Sequence, residues 1–185
     1  MGNIRPPRRV LLLLAAFGSD PQSLAWARDV AERAWGPIAL SSPVFDFEET
    51  DYYQTAMGGG LKKTFLVFQR LIDPARLAEI KCRTNAWEDE YREMGRENGR
   101  SRQVERPLNL DPGYLTEAKL VLASTKDHAH RIYLSQGIYA EVTLRFRAGD
   151  WQPWEWTYPD YRRTDYQRFF TECRDYLREH VKSEA

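Results

Sequence analysis

The chain has 185 residues, 42% hydrophobic and 13% aromatic, enough for one well-filled core and too few for two ordinary domains. Lys plus Arg and Asp plus Glu both number 27, so no global field draws the protein onto nucleic acid or an anionic membrane, and neither is an expected partner. The apolar run Val10 to Phe17 is far shorter than a bilayer span and no small-residue cleavage site follows it; neither a membrane helix nor a signal peptide is expected, and the expected location is cytoplasmic.

In chain order, residues 1–8 are expected to be a flexible N-terminus and 9–182 a single α+β domain. Arg9 to Phe17 reads as a strand, and Ser19-Asp20-Pro21 opens a helix that Gly36-Pro37 stops. Ile38 to Phe47 fits a second strand. A polar, aromatic connection leads into GGGLKKT and then into a third strand beginning at Lys63. Asp73-Pro74 starts a second helix, with Leu77, Ile80, Trp87 and Tyr91 at helical spacing. The stretch from Arg92 to Arg106 has the composition of a solvated loop.

Asn109, Asp111 and Gly113 read as a turn, because Asn and Asp before Pro-Gly are common turn chemistry. Ala118 to Thr125 is apolar on both parities, as in a strand covered on both faces. A hairpin follows, with Ser135-Gln136-Gly137 as its loop and Leu134 facing Ile138. That register places Ile132, Leu134, Ile138, Ala140 and Val142 on a packed face. Arg131, Tyr133, Tyr139, Glu141 and Thr143 fall on the other, with Arg131 opposite Glu141. Beyond WQPWEW, Thr164 and Gln167 have capping-box spacing at the start of a final helix. The order predicts an α+β fold, a ferredoxin-like split βαβ core of mainly antiparallel sheet with helices on one face, extended by a C-terminal hairpin and helix.

GGGLKKT contains the ingredients of a phosphate loop, but Lys63 is preceded by Lys62 and a strand follows the glycines where a Walker loop needs a helix N-terminus. Asp111-Pro112-Gly113 and Thr125-Lys126-Asp127 each miss a GTPase motif by one position. A standard P-loop GTPase is therefore excluded, and the two lysines of the loop are given no ligand role. His128 and His130 form His-x-His without a third ligand, so no metal site is expected. Cys82 and Cys173 lack C-x-x-C spacing and read as reduced, part-buried thiols.

NLDPGYLTEAKLVLASTKDHAHRIYLSQGIYAEVTL, with TDYYQTAMG before it and WTYPDYRR after it, resembles the uncharacterised bacterial family known as domain of unknown function 4416. The likeness runs from the first strand to the last helix and implies no established activity. A GTP-binding label carried by some members is at odds with the motif spacing above. Where the family has a glutamate before Met57-Gly58 this chain has Ala56, which implies that the glutamate is not an essential catalyst. The matching polar positions include Thr50, Tyr52, Tyr53, Asn109, Asp111, Lys126, Arg131, Tyr133, Glu141, Tyr158 and Asp160.

Two functions are consistent with these residues. In the first, a small anionic ligand, possibly phosphate-bearing, binds the polar face of the sheet. Asp111 and Glu141 are then the candidate catalytic groups, and Asn109, Lys126, Arg131, Tyr133, Thr50, Tyr53, Tyr158 and Asp160 the candidate ligand contacts. In the second, a non-enzymatic interaction domain uses exposed aromatic loop residues to dock an unidentified protein. The cofactor, if any, is unknown, and whether the site is catalytic is left open.

Overall fold

A computed structural model describes residues 2–49, 54–97 and 104–183. Thr50, Tyr52 and Tyr53, expected to take part in function, lie outside the described residues. Within these limits the chain is an α+β fold with four helices and a nine-stranded sheet whose named pairs are all antiparallel. No helix among the described residues is long and apolar enough to cross a membrane.

The first strand, β1 (Leu11–Gly18), is buried along its whole length at the centre of the sheet. Asp20 accepts a hydrogen bond from Gln22 N and caps α1 (Pro21–Trp35), which Gly36 closes with a φ of 92°. The expected second strand is two short ones, β2 (Ile38–Ser41) and β3 (Phe45–Asp46), both pairing with β4 (Lys62–Phe68). Pro43 stands between them, and a residue without an N–H cannot continue the ladder. A short α2 (Gln54–Met57) precedes β4. A 3-10 turn at Pro74–Arg76 leads into α3 (Leu77–Glu97), which runs into the stretch expected to be loop.

The expected turn at Asn109 to Gly113 is a strand, β5 (Asn109–Leu115), aligned with β1 over its whole length. Pro112 is tolerated because alternation points its missing N–H toward β6 (Lys119–Ser124), whose pairing with β5 begins only at Gly113. Gly113 is required there: a Cβ would run into the Val121 carbonyl oxygen and the Leu122 side chain.

β7 (Ile132–Ser135) and β8 (Ile138–Arg147) form the hairpin, and β8 turns again into β9 (Asp150–Pro153). The hairpin loop is the pair Gln136-Gly137, at φ 55° and 74°, and a register shift near Leu134 sets Ser135 opposite Ile138. That is a two-residue loop with both residues left-handed, in place of the expected three-residue loop. Tyr133 still faces Tyr139 and Ile132 faces Ala140. Ile132 and Leu134, expected to pack, are exposed because β7 is the edge of the sheet.

The strands run in the order β2-β4-β1-β5-β6-β8-β7. The even positions of β1, Leu12, Leu14 and Ala16, pack with residues of α1 and α3. The odd positions, Leu11, Leu13 and Ala15, pack with Tyr166, Phe169, Phe170, Cys173 and Leu177 of α4 (Thr164–Ser183). Helices therefore cover both faces, not one. A central strand apolar on both parities requires this, since each face has to be kept from water. The capping box expected at α4 is replaced: Gln167 Nε2 donates to Tyr161 O, and Asp165 accepts from Tyr166 N.

Candidate functional site

Between β5 and β6 the sheet comes apart. Pairing joins Gly113, Tyr114 and Leu115 to β6, whereas Asn109 to Pro112 have no β6 partner. The backbone of Leu110 is satisfied from α3 instead: its N–H donates to Glu88 Oε1 at 2.7 Å and its carbonyl accepts from Lys81 Nζ at 2.8 Å. A buried peptide group left unpaired would be costly, so these two side chains stand in for the absent strand. Both lie on the α3 stripe that begins with Leu77, which is why a lysine and a glutamate are drawn inward there.

A cavity of about 340 Å³ opens at this split. Its floor holds Asp111 and Asn109 of β5, Lys63 of β4 and Lys81 of α3. One wall is formed by Ser124, Lys126, Arg131 and Glu141 from the β6 to β8 side. The other is Tyr158, Asp160 and Tyr161, from the 3-10 turn at Pro159–Arg162 that precedes α4.

Three ion pairs line it. Lys63 Nζ lies 2.6 Å from Asp160 Oδ2, with the side chains 3% and 6% exposed. Lys81 Nζ lies 3.0 Å from Asp111 Oδ1. Arg131 Nε lies 2.8 Å from Glu141 Oε2, both almost fully buried. Burial would raise the Asp111 carboxyl, but the charges of Lys81 and Lys63 and hydrogen bonds from Lys81 and Asn109 outweigh it and hold it below the usual carboxylate range. The Tyr158 hydroxyl is pushed up, first by burial and then by the Glu141 charge. Burial, followed by the Asp160 charge, drives that of Tyr161 much higher.

Arg131 is the hub of its wall. Besides Glu141, it donates to Ser124 Oγ at 2.6 Å, Lys126 O at 2.9 Å and the Tyr158 hydroxyl at 2.6 Å. Glu141 is equally committed, accepting from Thr143 Oγ1 and lying 3.2 Å from His130 Nε2. His130 stacks on Trp156, which stacks on Trp154, so the tryptophan-rich segment buttresses this wall.

Seven of the residues singled out from sequence thus share one cavity: Asn109, Asp111, Lys126, Arg131, Glu141, Tyr158 and Asp160. Tyr133 does not line it; it is 57% exposed and packs on Tyr139 at the sheet edge. Thr50 and Tyr53 fall outside the described residues. Sequence reasoning missed Lys63 and Lys81. A lysine two residues before Phe65 on an inward-facing parity, and another on the apolar stripe of α3, were the available signals. Among the described residues, no three His, Cys, Asp or Glu side chains gather as metal ligands.

The model of the family described as domain of unknown function DUF4416 matches residues 8–176. The chain belongs to that family. No curated protein and no solved structure matches it. The matched span of this DUF4416 chain contains the whole lining of the cavity, from Phe17 to Tyr161.

Proposed function

We propose that the cavity binds a small molecule carrying an anionic group, a carboxylate or a phosphate. The observation that carries this reading is the convergence of Lys63–Asp160, Lys81–Asp111 and Arg131–Glu141 on one concave site. Buried ion pairs are a poor way to stabilise a fold, because desolvation offsets their attraction. Charged groups gathered in a cleft are the usual mark of a site that works on polar ligands. Lys126 adds a further cation at the rim. The volume is near the lower end for small-molecule sites, about 300–1,000 Å³, which suits a metabolite rather than a polymer.

The experiment is thermal unfolding in the presence of small carboxylates and phosphates. A ligand at a hundred times its Kd stabilises the native state by about 2.7 kcal/mol through mass action alone. Absence of any stabilisation by anions, hydroxylated or not, would end this reading. An interaction role has one observation in its favour, the exposed Ile132, Tyr133 and Leu134 on edge strand β7.

The same reading takes β1, α1, β2, β4, α3 and β5 as a ferredoxin-like split βαβ unit, supported by the order β2-β4-β1-β5 and its antiparallel pairing. It also takes the chain as a bacterial, cytoplasmic protein, consistent with free thiols at Cys82 and Cys173.

A further inference from the structure

The three ion pairs are internally neutral, so the deep end of the cavity has little net charge to offer an anion. What it offers is a set of uncommitted hydrogen-bonding valences. Asp160 accepts from Lys63 through Oδ2, and its Oδ1 takes no hydrogen bond from the described residues. Asn109, 2% exposed, donates to Asp111 through Nδ2 and leaves its Oδ1 without a donor among them. The Asn85 side chain lines the cavity and bonds none of the described residues. Lys63 spends one of its three N–H groups on a hydrogen bond, and Lys81 spends two.

Donors and acceptors therefore stand side by side on the floor. A hydroxyl group both donates and accepts, and a row of them answers such a set. A bare anion has no proton to give Asp160 Oδ1 or Asn109 Oδ1 and would make no hydrogen bond to either. Phe17 and Phe47 add apolar ring surface against which C–H groups can lie. The exposed Lys126 and His128 also line the cavity, on its solvent side.

Building on the anion-binding reading above, we infer that the ligand is a polyhydroxylated carbon skeleton with one terminal anionic group, bound hydroxyls inward and charge outward. Sugar phosphates and sugar acids are the two sources of that chemistry.

The test is calorimetric titration of the full chain with glucose 6-phosphate, ribose 5-phosphate, glycerol 3-phosphate and gluconate, against inorganic phosphate and acetate. At least one hydroxylated anion is expected to bind ten times or more tighter than inorganic phosphate. A phosphate ester as the winner assigns the phosphate source, and gluconate the carboxylate source. Asn85→Ala, which removes a side chain without partners among the described residues, is expected to leave Tm unchanged and weaken that ligand at least tenfold. Lys126→Ala is expected to weaken it while leaving Asn85 contacts in place. Inorganic phosphate or acetate binding as tightly as every hydroxylated anion overturns the inference and leaves an anion site standing. Wild-type affinity in Asn85→Ala overturns it as well. Binding by none of the six probes overturns both.

Discussion

Lys63 Nζ lies 2.6 Å from Asp160 Oδ2, and the centroids of five aromatic rings surround it at 4.5–5.8 Å. The rings of Phe17, Phe47, Phe65, Tyr161 and Tyr166 turn electron-rich faces toward a cation, which offsets part of its lost hydration. The partner is 97 residues away in sequence, so the pair ties β4 to the segment before α4.

Removing either member leaves the other buried without its counter-charge. Lys63→Met is expected to destabilise the protein by about 3–5 kcal/mol, and Asp160→Asn by a comparable amount. The double variant Lys63→Met, Asp160→Asn should be markedly more stable than the sum of the two predicts, because no charge is left unpaired. Urea unfolding of the four proteins measures this. Simple additivity would show that the two side chains do not act as a pair.

Asp111 gives stability a defined pH dependence. Its folded carboxyl titrates below the ordinary value of 3.8, so the unfolded state binds more protons as the acid range is entered. Its contribution is therefore complete above 3.8 and is lost as pH falls through the folded value. Asp111→Asn should be less stable than wild type at neutral pH, and the gap should narrow as pH falls below 3.8. Denaturant midpoints across that range decide the matter; a gap that stays constant would mean that the Lys81 charge does not hold Asp111 ionised.

Arg131 is predicted to resist conservative replacement. Its planar fork reaches Glu141, Ser124, Lys126 O and Tyr158 together, a geometry that a single ammonium cannot reproduce. Arg131→Lys should retain part of the Glu141 attraction yet lose the Tyr158 contact, whereas Arg131→Ala should cost about 3–5 kcal/mol by leaving the buried Glu141 without its guanidinium partner. Thermal unfolding ranks the two variants, and equal Tm values for Arg131→Lys and wild type would refute the hub role.

Much of this was legible in the sequence, for reasons that are local. Asp20-Pro21 and Gly36 frame α1 because caps are short-range chemistry. Tyr133 faces Tyr139 as the sequence suggests because two departures cancel: the loop is one residue shorter than expected, and the shift at Leu134 restores the register beyond it, which carries Arg131 to Glu141. β5 was not legible. Asp111-Pro112-Gly113 has the composition of a turn, and only the ending of the β5–β6 pairing at Gly113 and Leu122 explains how a proline fits inside the sheet. Lys63 was invisible for a related reason: a lysine beside a glycine run reads as solvated until Asp160 arrives from the far end of the chain.

The break beside Leu110 has a mechanical meaning. Strands β2, β4, β1 and β5 form one plate and β6, β8 and β7 another, fastened directly by three backbone pairs at one end, with α3 as a brace across the open end. The cavity lies in the gape between the plates. A molecule that touches Asn109 on one side and Ser124 on the other acts as a clasp. Hydrogen exchange at the Leu110 amide, which is fixed by the Glu88 side chain instead of a neighbouring strand, is the natural gauge of how far the plates part.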